Sequence, residues 1–192
     1  MSEDLLTSLQ AELDERAASG LLRKRRLLET AQTVNITVDG QQVLSFCSND
    51  YLGLANHPKL IAAMQDATAK SGVGSGASHL IAGHHQYHQQ LEQALAAFVK
   101  QSAALLFSTG YMANLGVVSA LVSRGDEIFA DKLNHASLND AAVLSRAELN
   151  RYPHNDLVAL GGMLKASKAP CKLVMVDAVF SMDGDLAPVP EL

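Results

Sequence analysis

Short apolar runs alternate with amphipathic stretches over the second half of the chain. The runs read AALLF, EIFA, LNRY and CKLVMVDAVF, and each is long enough for one buried strand. Between them lie three segments in which apolar residues recur at helical spacing, YMANLGVVSALV, SLNDAAVL and NDLVALGGMLKAS. Strands that alternate with crossover helices predict an α/β fold built on a mostly parallel sheet.

The first part of the chain follows a different pattern. Apolar residues at helical spacing predict an N-terminal helix, and they are Leu5, Leu6, Leu9, Leu13 and Ala17. Gly20 follows as the expected stop of this helix. In the stretch NITVDGQQVLSF, apolar and polar residues alternate on both sides of Asp39 and Gly40. This pattern predicts a β-hairpin.

An irregular loop, SNDYLGL, precedes a helix that we expect to begin at Pro58, with its body at residues 60–70. The glycine-rich stretch SGVGSGASHLIAG, residues 71–83, separates it from another helix, in which Leu91, Leu95 and Phe98 share a face. This stretch could be mistaken for a dinucleotide-binding fingerprint, but it follows a helix and not a strand. We interpret it as a permissive loop that could approach a ligand or a partner subunit.

Composition and charge narrow the class of protein. The chain has 192 residues, of which 48 % are hydrophobic, and its formal net charge is −5. These values are typical of a globular protein and indicate no basic surface for nucleic acid. The local basic run RKRR at residues 23–26 is either a solvated helix end or an anion site for a carboxylate or phosphate.

The two cysteines, Cys47 and Cys171, lie far apart, which disfavours a disulfide framework and a cysteine zinc site. The N-terminal sequence MSEDLLTSLQ carries acidic residues and has no apolar core of a signal peptide. No apolar run is long enough to span a bilayer, so we expect a cytoplasmic protein.

Parallel α/β sheets bind ligands at the carboxyl ends of their strands. Here those ends read FSTGYMAN, FADKLNHAS and AVFSMDGD. Gly110 lies between a predicted strand and a helix, where free N–H groups would accept a phosphate near Gly110 and Tyr111. A plain strand-to-helix turn is the alternative interpretation. The P-loop lysine pattern is absent, which disfavours a nucleoside triphosphatase.

His135 and Ser181 also follow predicted strands, and each has two interpretations. His135 is either a helix cap or an imidazole that stacks on a flat ring and acts as an acid–base group. Ser181 is either a turn residue that bonds local backbone or a hydroxyl aimed at a cofactor oxygen.

Three histidines, His84, His85 and His88, suggest a metal site, since His84 and His88 are one helical turn apart. No cysteine accompanies them and the HExxH pattern is absent, so the sequence favours a solvated or packed helix face without metal. The Asp-Gly-Asp turn at residues 183–185 falls short of a calcium loop.

Six motifs then stand in one order: SNDYLGL, GSGASHLIAG, HQQLEQALAAF, LFSTGYMAN, DKLNHASLNDA and VFSMDGD. Together they resemble the α-oxoamine synthases, a family of pyridoxal 5′-phosphate (PLP) enzymes, over nearly all of the chain. The resemblance implies an aminotransferase-like fold of type I. We therefore expect an N-terminal helix and hairpin segment at residues 1–45. Residues 46–192 would be the N-terminal part of the PLP-binding large domain, with the C-terminal remainder absent.

The resemblance also implies roles for residues at the strand ends. Gly110 and Tyr111 would hold the phosphate region of PLP. His135 would stack on the pyridine ring, contact substrate and act in catalysis. Ser181 would bond a polar atom of the cofactor.

Within the family, the chain most resembles members that condense L-alanine with a pimeloyl thioester in biotin biosynthesis, with loss of carbon dioxide. The thioester is carried by coenzyme A or acyl carrier protein, and relatives are homodimers. Arg23 would contact the acyl substrate and Asn49 the substrate carboxylate. Ser78 stands where glycine-using relatives have threonine, which leaves room for the methyl group of alanine. One methyl group contributes only ~1–3 kcal/mol of discrimination.

Relatives carry the cofactor-binding lysine and the aspartate for the pyridine nitrogen beyond the position of Leu192. None of the eight lysines of this chain lies in the lysine motif of the family, so we expect a part of a larger enzyme that is inactive alone. Two alternatives stay open, a sibling synthase that uses glycine and another acyl thioester, and a non-catalytic fragment. A nicotinamide oxidoreductase is disfavoured because no glycine fingerprint follows a first strand.

Overall fold

The computed structural model describes residues 3–192, and the chain divides into two compact units, Met1–Gly74 and Ser75–Leu192. Each unit is described by itself. The domain boundary that the sequence analysis placed between residues 45 and 46 stays a prediction.

The first unit begins with helix α1 (Glu3–Ala18) and continues with a hairpin. Strands β1 (Asn35–Val38) and β2 (Gln41–Leu44) pair antiparallel, which confirms the predicted hairpin. The turn residues Asp39 and Gly40 have φ angles of 51° and 74°. Positive φ at both central positions gives the two-residue turn whose twist matches that of the strands.

Helix α2 (Pro58–Ser71) closes this unit where the sequence predicted it. Pro58 occupies the first turn, where its missing N–H costs nothing. His57 caps the helix, and its Nδ1 accepts a hydrogen bond from Lys59 N at 3.2 Å. Gly72 ends the helix with a φ of 76°, and its N–H donates to Thr68 O.

The second unit contains four helices and three strands among its described residues. The helices are α3 (Gln86–Phe98), α4 (Gly110–Leu121), α5 (Ala136–Ser145) and α6 (Leu157–Ala166). The strands are β3 (Glu127–Asp131), β4 (Glu148–Tyr152) and β5 (Lys172–Met175). A π-helical turn, His79–Gly83, precedes α3, and a 3₁₀ turn, Val189–Glu191, follows the last strand.

The sheet has the order β4-β3-β5, and both pairs are parallel, as the alternation of strands and helices predicts. Central strand β3 is buried because it packs on both faces. Ile128 belongs to a cluster with Val118 of α4 and Ala141 of α5, whereas Phe129 packs with Leu160 of α6. Successive residues of a strand point to opposite faces, and burial of each such side chain contributes about 1.5–3 kcal/mol.

Two strand predictions need correction. Residues 103–107, AALLF, form no strand, and Leu105 is 74 % exposed. Both edges of β3 are occupied by β4 and β5, and Leu106 N donates instead to the side chain of Glu92 at 3.0 Å. The last predicted strand, residues 171–180, joins the sheet only over β5, and beyond it Val179 forms an isolated antiparallel bridge with Leu186. Beyond it, Asp177 N donates to a side chain, Asn134 Oδ1 at 3.2 Å, and not to a neighbouring strand.

The helices of the described residues include none with both the length and the apolar character needed to cross a bilayer.

Candidate functional site

The carboxyl end of β3 leads into a turn that places His135 at the start of α5. His135 caps this helix, because its Nδ1 accepts from Ser137 N at 3.2 Å and lies 2.7 Å from Ser137 Oγ. Its own backbone N–H donates to Asp177 Oδ2 at 2.6 Å. The capping interpretation of His135 is therefore realised. Since Nδ1 is the nitrogen that serves the cap, Nε2 is the nitrogen left for another partner.

Two polar residues that the sequence analysis did not select hold the ends of β3 and β5 together. Asn134 is 7 % exposed and donates through Nδ2 to Met175 O at 2.8 Å, while its Oδ1 accepts from Asp177 N. Asp177 in turn accepts from His135 N. Their position just after predicted strands was the signal that could have identified them.

An open cleft of about 440 Å³ lies at this edge of the sheet. His135, Asp177 and Ser181 line it, together with Asn114 of α4. Asn114 Nδ2 donates to Ser137 Oγ at 2.8 Å, so α4 is joined to the residue that fixes the His135 ring. The structure thus brings two of the predicted cofactor residues, His135 and Ser181, to one cleft.

Gly110 and Tyr111 form the first turn of α4, although neither is among the residues that line the cleft. Thr109 caps the helix and accepts from Met112 N at 3.2 Å. Thr109 O accepts from Ala113 N, which leaves the N–H groups of Gly110 and Tyr111 as free donors within the described residues. A Cβ added at Gly110 would meet nothing within 4 Å, so this backbone is open to an approaching group.

The Tyr111 side chain reaches α5. Its hydroxyl donates to Asp140 Oδ2 at 2.5 Å, and this hydrogen bond to a carboxylate raises the pKa of the phenol above its ordinary value near 10. The N-terminal halves of α4 and α5 are therefore linked twice, by Tyr111 and by Asn114.

A histidine between two carboxylates fixes the loop that carries Ser181. His154 Nδ1 lies 3.0 Å from Asp131 Oδ1, and its Nε2 lies 2.7 Å from Asp185 Oδ2. The same ring packs edge-on against Phe180, with centroids 4.4 Å apart. Phe180 N donates to Asp185 O at 3.0 Å, so Asp185 closes the loop around Ser181. The sequence analysis missed His154, because its carboxylate partners are distant along the chain.

Charge and burial shift the pKa values in this network. For Asp131, burial raises the pKa, but N–H donation from Asn155 and Leu133 and the contact with His154 outweigh it and lower the pKa below 3.8. Hydrogen bonds to Asp131 and Asp185 raise the pKa of His154 above 6.5. Burial, aided by the charge of Asp131, raises the pKa of Tyr152 to about 12. His154 and Asp131 therefore favour the charged forms of one another.

The three other predicted site residues lie outside this cleft. Arg23 and Asn49 belong to the first unit, where Arg23 lines an open apolar groove with Leu9 and Leu13 of α1. Asn49 Oδ1 accepts from Tyr51 OH at 3.4 Å. Ser78 precedes the π-helical turn, and its carbonyl accepts from Ile81 N and Gly83 N. The functional roles assigned to these residues stay predictions.

The histidines near α3 are arranged differently from the sequence expectation. His84 lies outside the helix, which begins at Gln86, so His84 and His88 do not share a helical turn. His85 caps the helix. A residue that the sequence analysis did not select, His79, joins His84 and His88 in a cluster.

The class of protein follows from a comparison with known families. The sequence model of the aminotransferase class I and II family matches residues 41–192, and the chain belongs to that family. The fold agrees, since a serine palmitoyltransferase variant from S. paucimobilis, with PLP and myriocin bound, superposes with a TM-score of 0.88 at 34 % identity. That match covers 96 % of this chain and 47 % of the other.

Particular relatives narrow the similarity further. The chain is 63 % identical over 188 residues to 8-amino-7-oxononanoate synthase of Methylobacillus flagellatus, a match that covers 98 % of this chain and 48 % of the relative. The synthase of Cellvibrio japonicus is 57 % identical over 192 residues, covering 100 % of this chain and 48 % of that protein. A solved 8-amino-7-oxononanoate synthase from Francisella tularensis has a TM-score of 0.64 at 34 % identity, over 76 % of this chain and 40 % of the other.

The chain spans about half the length of the curated relatives it matches. The resemblance to α-oxoamine synthases and the predicted fold class are confirmed by these comparisons.

Proposed function

We propose that the complete protein condenses L-alanine with a pimeloyl thioester, releases carbon dioxide and forms 8-amino-7-oxononanoate, a step of biotin biosynthesis. The observation that carries this proposal is the 63 % identity, over 98 % of the chain, to a protein of that name. Sibling synthases that act on another amino acid are the second candidate, since serine palmitoyltransferases share the fold at 34 % identity.

The residues at the sheet edge fit PLP, which has a flat ring, a phosphate and polar ring substituents. An imidazole with one nitrogen fixed, at His135, and a hydroxyl, at Ser181, line the same cleft. The free N–H groups at Gly110 and Tyr111 are donors of the kind that bind phosphate at helix starts. When bound, PLP supplies an electron sink for the bonds at the α-carbon of the amino acid.

The residues of this chain would orient that group. Hydrogen bonds from Ser137 hold the His135 ring in one rotamer, so that its face can cover the pyridine ring. Ser181 would donate to a polar atom of the ring, and its position depends on the loop that Asp185 closes. The Gly110 and Tyr111 N–H groups would neutralise part of the phosphate charge.

We also propose that Arg23, Asn49 and Ser78 contact the substrates. Arg23 would pair with the far carboxylate of the acyl chain, with Leu9 and Leu13 beside its methylene groups. Asn49 would contact the carboxylate of alanine. Ser78 would leave room for the methyl group of alanine.

None of the eight lysines lies in the motif of the family, so we propose that the cofactor-binding lysine is supplied by sequence outside this chain. The complete enzyme would be a cytoplasmic homodimer, in the compartment that supplies acyl thioesters of coenzyme A and acyl carrier protein. Light scattering after size-exclusion chromatography would measure the dimer, and a monomeric mass would contradict it.

The test is an assay of the complete protein with PLP, followed by mass spectrometry of the amino ketone product. Alanine should be converted with pimeloyl-CoA or pimeloyl-acyl carrier protein, and glycine and serine at least about tenfold less efficiently. Equal use of glycine or serine would support a sibling synthase. Absence of product with all three, in a sample that binds PLP, would contradict the proposed activity.

The matched variants are His135→Ala and His57→Ala, which both remove a histidine cap of a helix. His135→Ala should weaken PLP binding and turnover, because the ring cover is lost, whereas His57→Ala should leave both nearly unchanged. Equal losses in the two variants would show that His135 acts only as a cap.

A further inference from the structure

Three histidines around the start of α3 form a cluster that the proposed reaction does not use. One nitrogen from each of His79, His84 and His88 can be chosen so that all lie within 4.8 Å of one another. The ring centroids are 4.7 to 5.7 Å apart. His79 and His84 are exposed and His88 is half-buried, so the cluster is accessible from solvent.

A tight turn creates this cluster, because His79 and His84 precede α3 whereas His88 lies in its first turn. Gly83 N donates to Ser78 O at 2.9 Å, and Ser75 Oγ donates to Gly83 O at 3.1 Å. A Cβ at Gly83 would lie 1.9 Å from Ala77 O, a distance that no side chain can adopt. Glycine therefore lets the backbone fold back on itself, and His79 comes to lie beside the first turn of α3.

The spacing of the nitrogens suits a transition-metal ion. Zinc binds imidazole nitrogen at 2.0–2.1 Å, so neighbouring ligand nitrogens in a tetrahedral site lie about 3.3 Å apart. His79 Nδ1 and His84 Nδ1 are already 3.0 Å apart. The widest separation, 4.8 Å, has to close by roughly 1.5 Å, a movement within reach of exposed side chains.

Surrounding groups orient the central ring. His84 Nε2 lies 3.2 Å from Gln89 Oε1, which accepts only, so Nε2 carries the proton and Nδ1 presents a lone pair to the cluster. The carboxylate of Glu92 lies 3.9 Å from the same Nε2. An acceptor behind a ligand imidazole is the usual support of a metal site, because it fixes the tautomer and raises ligand basicity.

We propose that His79, His84 and His88 bind one divalent transition-metal ion of the zinc, nickel or copper class, with a water molecule in the fourth position. His88 Nδ1 accepts from His85 N at 3.0 Å in the metal-free arrangement. Ligation through Nε2 moves the ring proton to Nδ1 and gives up that hydrogen bond, so the metal competes with the cap of α3. The ion ties the loop that carries Ser78 to the helix.

Zinc titration of the complete protein by calorimetry, after removal of metals with a chelator, tests the site. We expect one zinc ion per chain, and His79→Gln, His84→Gln and His88→Gln each to weaken binding by about tenfold or more. The matched control is His85→Asn, which removes a neighbouring imidazole but keeps a residue able to cap the helix. It should bind within about twofold of the parent. A triple variant that lacks His79, His84 and His88 measures how much zinc binds elsewhere, to PLP or to other groups of the protein.

The zinc affinity of His79→Gln distinguishes a site made of three histidines from zinc binding by His84 and His88 alone. Unchanged zinc affinity in His79→Gln, equal loss in His85→Asn, or no binding above the triple variant would overturn the proposal. A titration with Co²⁺, followed by visible absorption, tests the site without a variant. A tetrahedral site with nitrogen ligands absorbs strongly in the visible range, and hydrated Co²⁺ does not. Hydrogen exchange of residues 75–83 should slow with zinc in the parent and not in His79→Gln. None of these measurements depends on the synthase activity.

Discussion

Two groups of imidazoles in the second unit are held in different ways. At the strand ends, His135 bonds Ser137 through one nitrogen and His154 contacts a carboxylate through each of its two. In the loop before α3, His79 and His84 face one another across 3.0 Å. Protein partners orient rings in both groups, since Gln89 contacts His84 and His85 N donates to His88, but among the described residues only the loop group brings nitrogens of three histidines within 4.8 Å of one another. We infer that the partners of a histidine decide which ligands it can take more than its position in a motif does.

The largest expected effect comes from the carboxylate that anchors the strand-end group. Asp131 is 1 % exposed and accepts from Leu133 N, Asn155 N and the His154 ring. Asp131→Asn removes the charge and places an NH₂ group against N–H groups that need an acceptor. We therefore expect a loss of about 2–4 kcal/mol in the free energy of unfolding. Urea denaturation measures it. The matched change Glu148→Gln, at an exposed acid of β4, should have an effect below about 0.5 kcal/mol. Similar losses in both would show that Asp131 anchors nothing.

The next effect concerns the turn that gathers the loop rings. Gly83→Ala places a Cβ against Ala77 O, so the backbone has to move and His79 leaves the cluster. We expect a loss of about 1–3 kcal/mol in stability together with weaker zinc binding. Gly76→Ala is the control, since a Cβ there meets nothing within 4 Å. Parent-like zinc binding in Gly83→Ala would show that the turn does not position His79.

A smaller effect is expected at the bridge between α4 and α5. Ser137→Ala leaves Asn114 Nδ2 and His135 Nδ1 without their shared hydroxyl, and we expect a cost of about 1–2 kcal/mol. PLP binding should weaken too, because the His135 ring is no longer fixed. Ser145→Ala removes another buried hydroxyl, which bonds only local backbone, and should not change PLP binding. Fluorescence titration with PLP compares the two, and equal affinities would contradict the positioning role of Ser137.

The smallest effect is a dependence of stability on pH. The pKa of His154 is raised in the folded protein, so the stabilisation by the charged ring is complete below about pH 6.5 and is lost as pH rises through the folded pKa. The pKa of Asp131 is lowered, so its contribution is present above about pH 3.8 and is lost as pH falls through the folded pKa.

Melting temperatures of the parent and of His154→Gln, measured between about pH 5.5 and 8.5, isolate the histidine. The advantage of the parent should shrink as pH rises. NMR titration of the His154 ring measures its pKa directly. A pKa at or below 6.5 would contradict the stabilisation of the charged His154 ring by Asp131 and Asp185.

The elements could be predicted where the signal is local. The hairpin turn at Asp39 and Gly40, the start of α2 at Pro58 and the parallel strands around β3 all follow from residues close together in sequence. The strand predicted at residues 103–107 was wrong, because a strand requires a neighbour to receive its hydrogen bonds. Its apolar composition carried no information about whether that neighbour is present.

The candidate site was predictable in part. His135 and Ser181 stand at strand ends, and the parallel topology brings such ends to one edge. Asn134 and Asp177 also follow predicted strands, so the same rule could have identified them. The sequence analysis did not select them. His154 was not predictable, since its two carboxylates are Asp131 and Asp185, 23 and 31 residues away.

The sequence by itself determined the α/β class, the order of most elements and the family resemblance, because apolar periodicity and short motifs are written locally. Only the tertiary structure decided which side chains meet. It joined Asn114 to Ser137, placed His154 between two acids and exchanged His85 for His79 in the histidine cluster. These contacts depend on how the backbone folds back at turns such as Gly83, and hydrogen bonds between residues distant along the chain leave no periodic trace in the sequence.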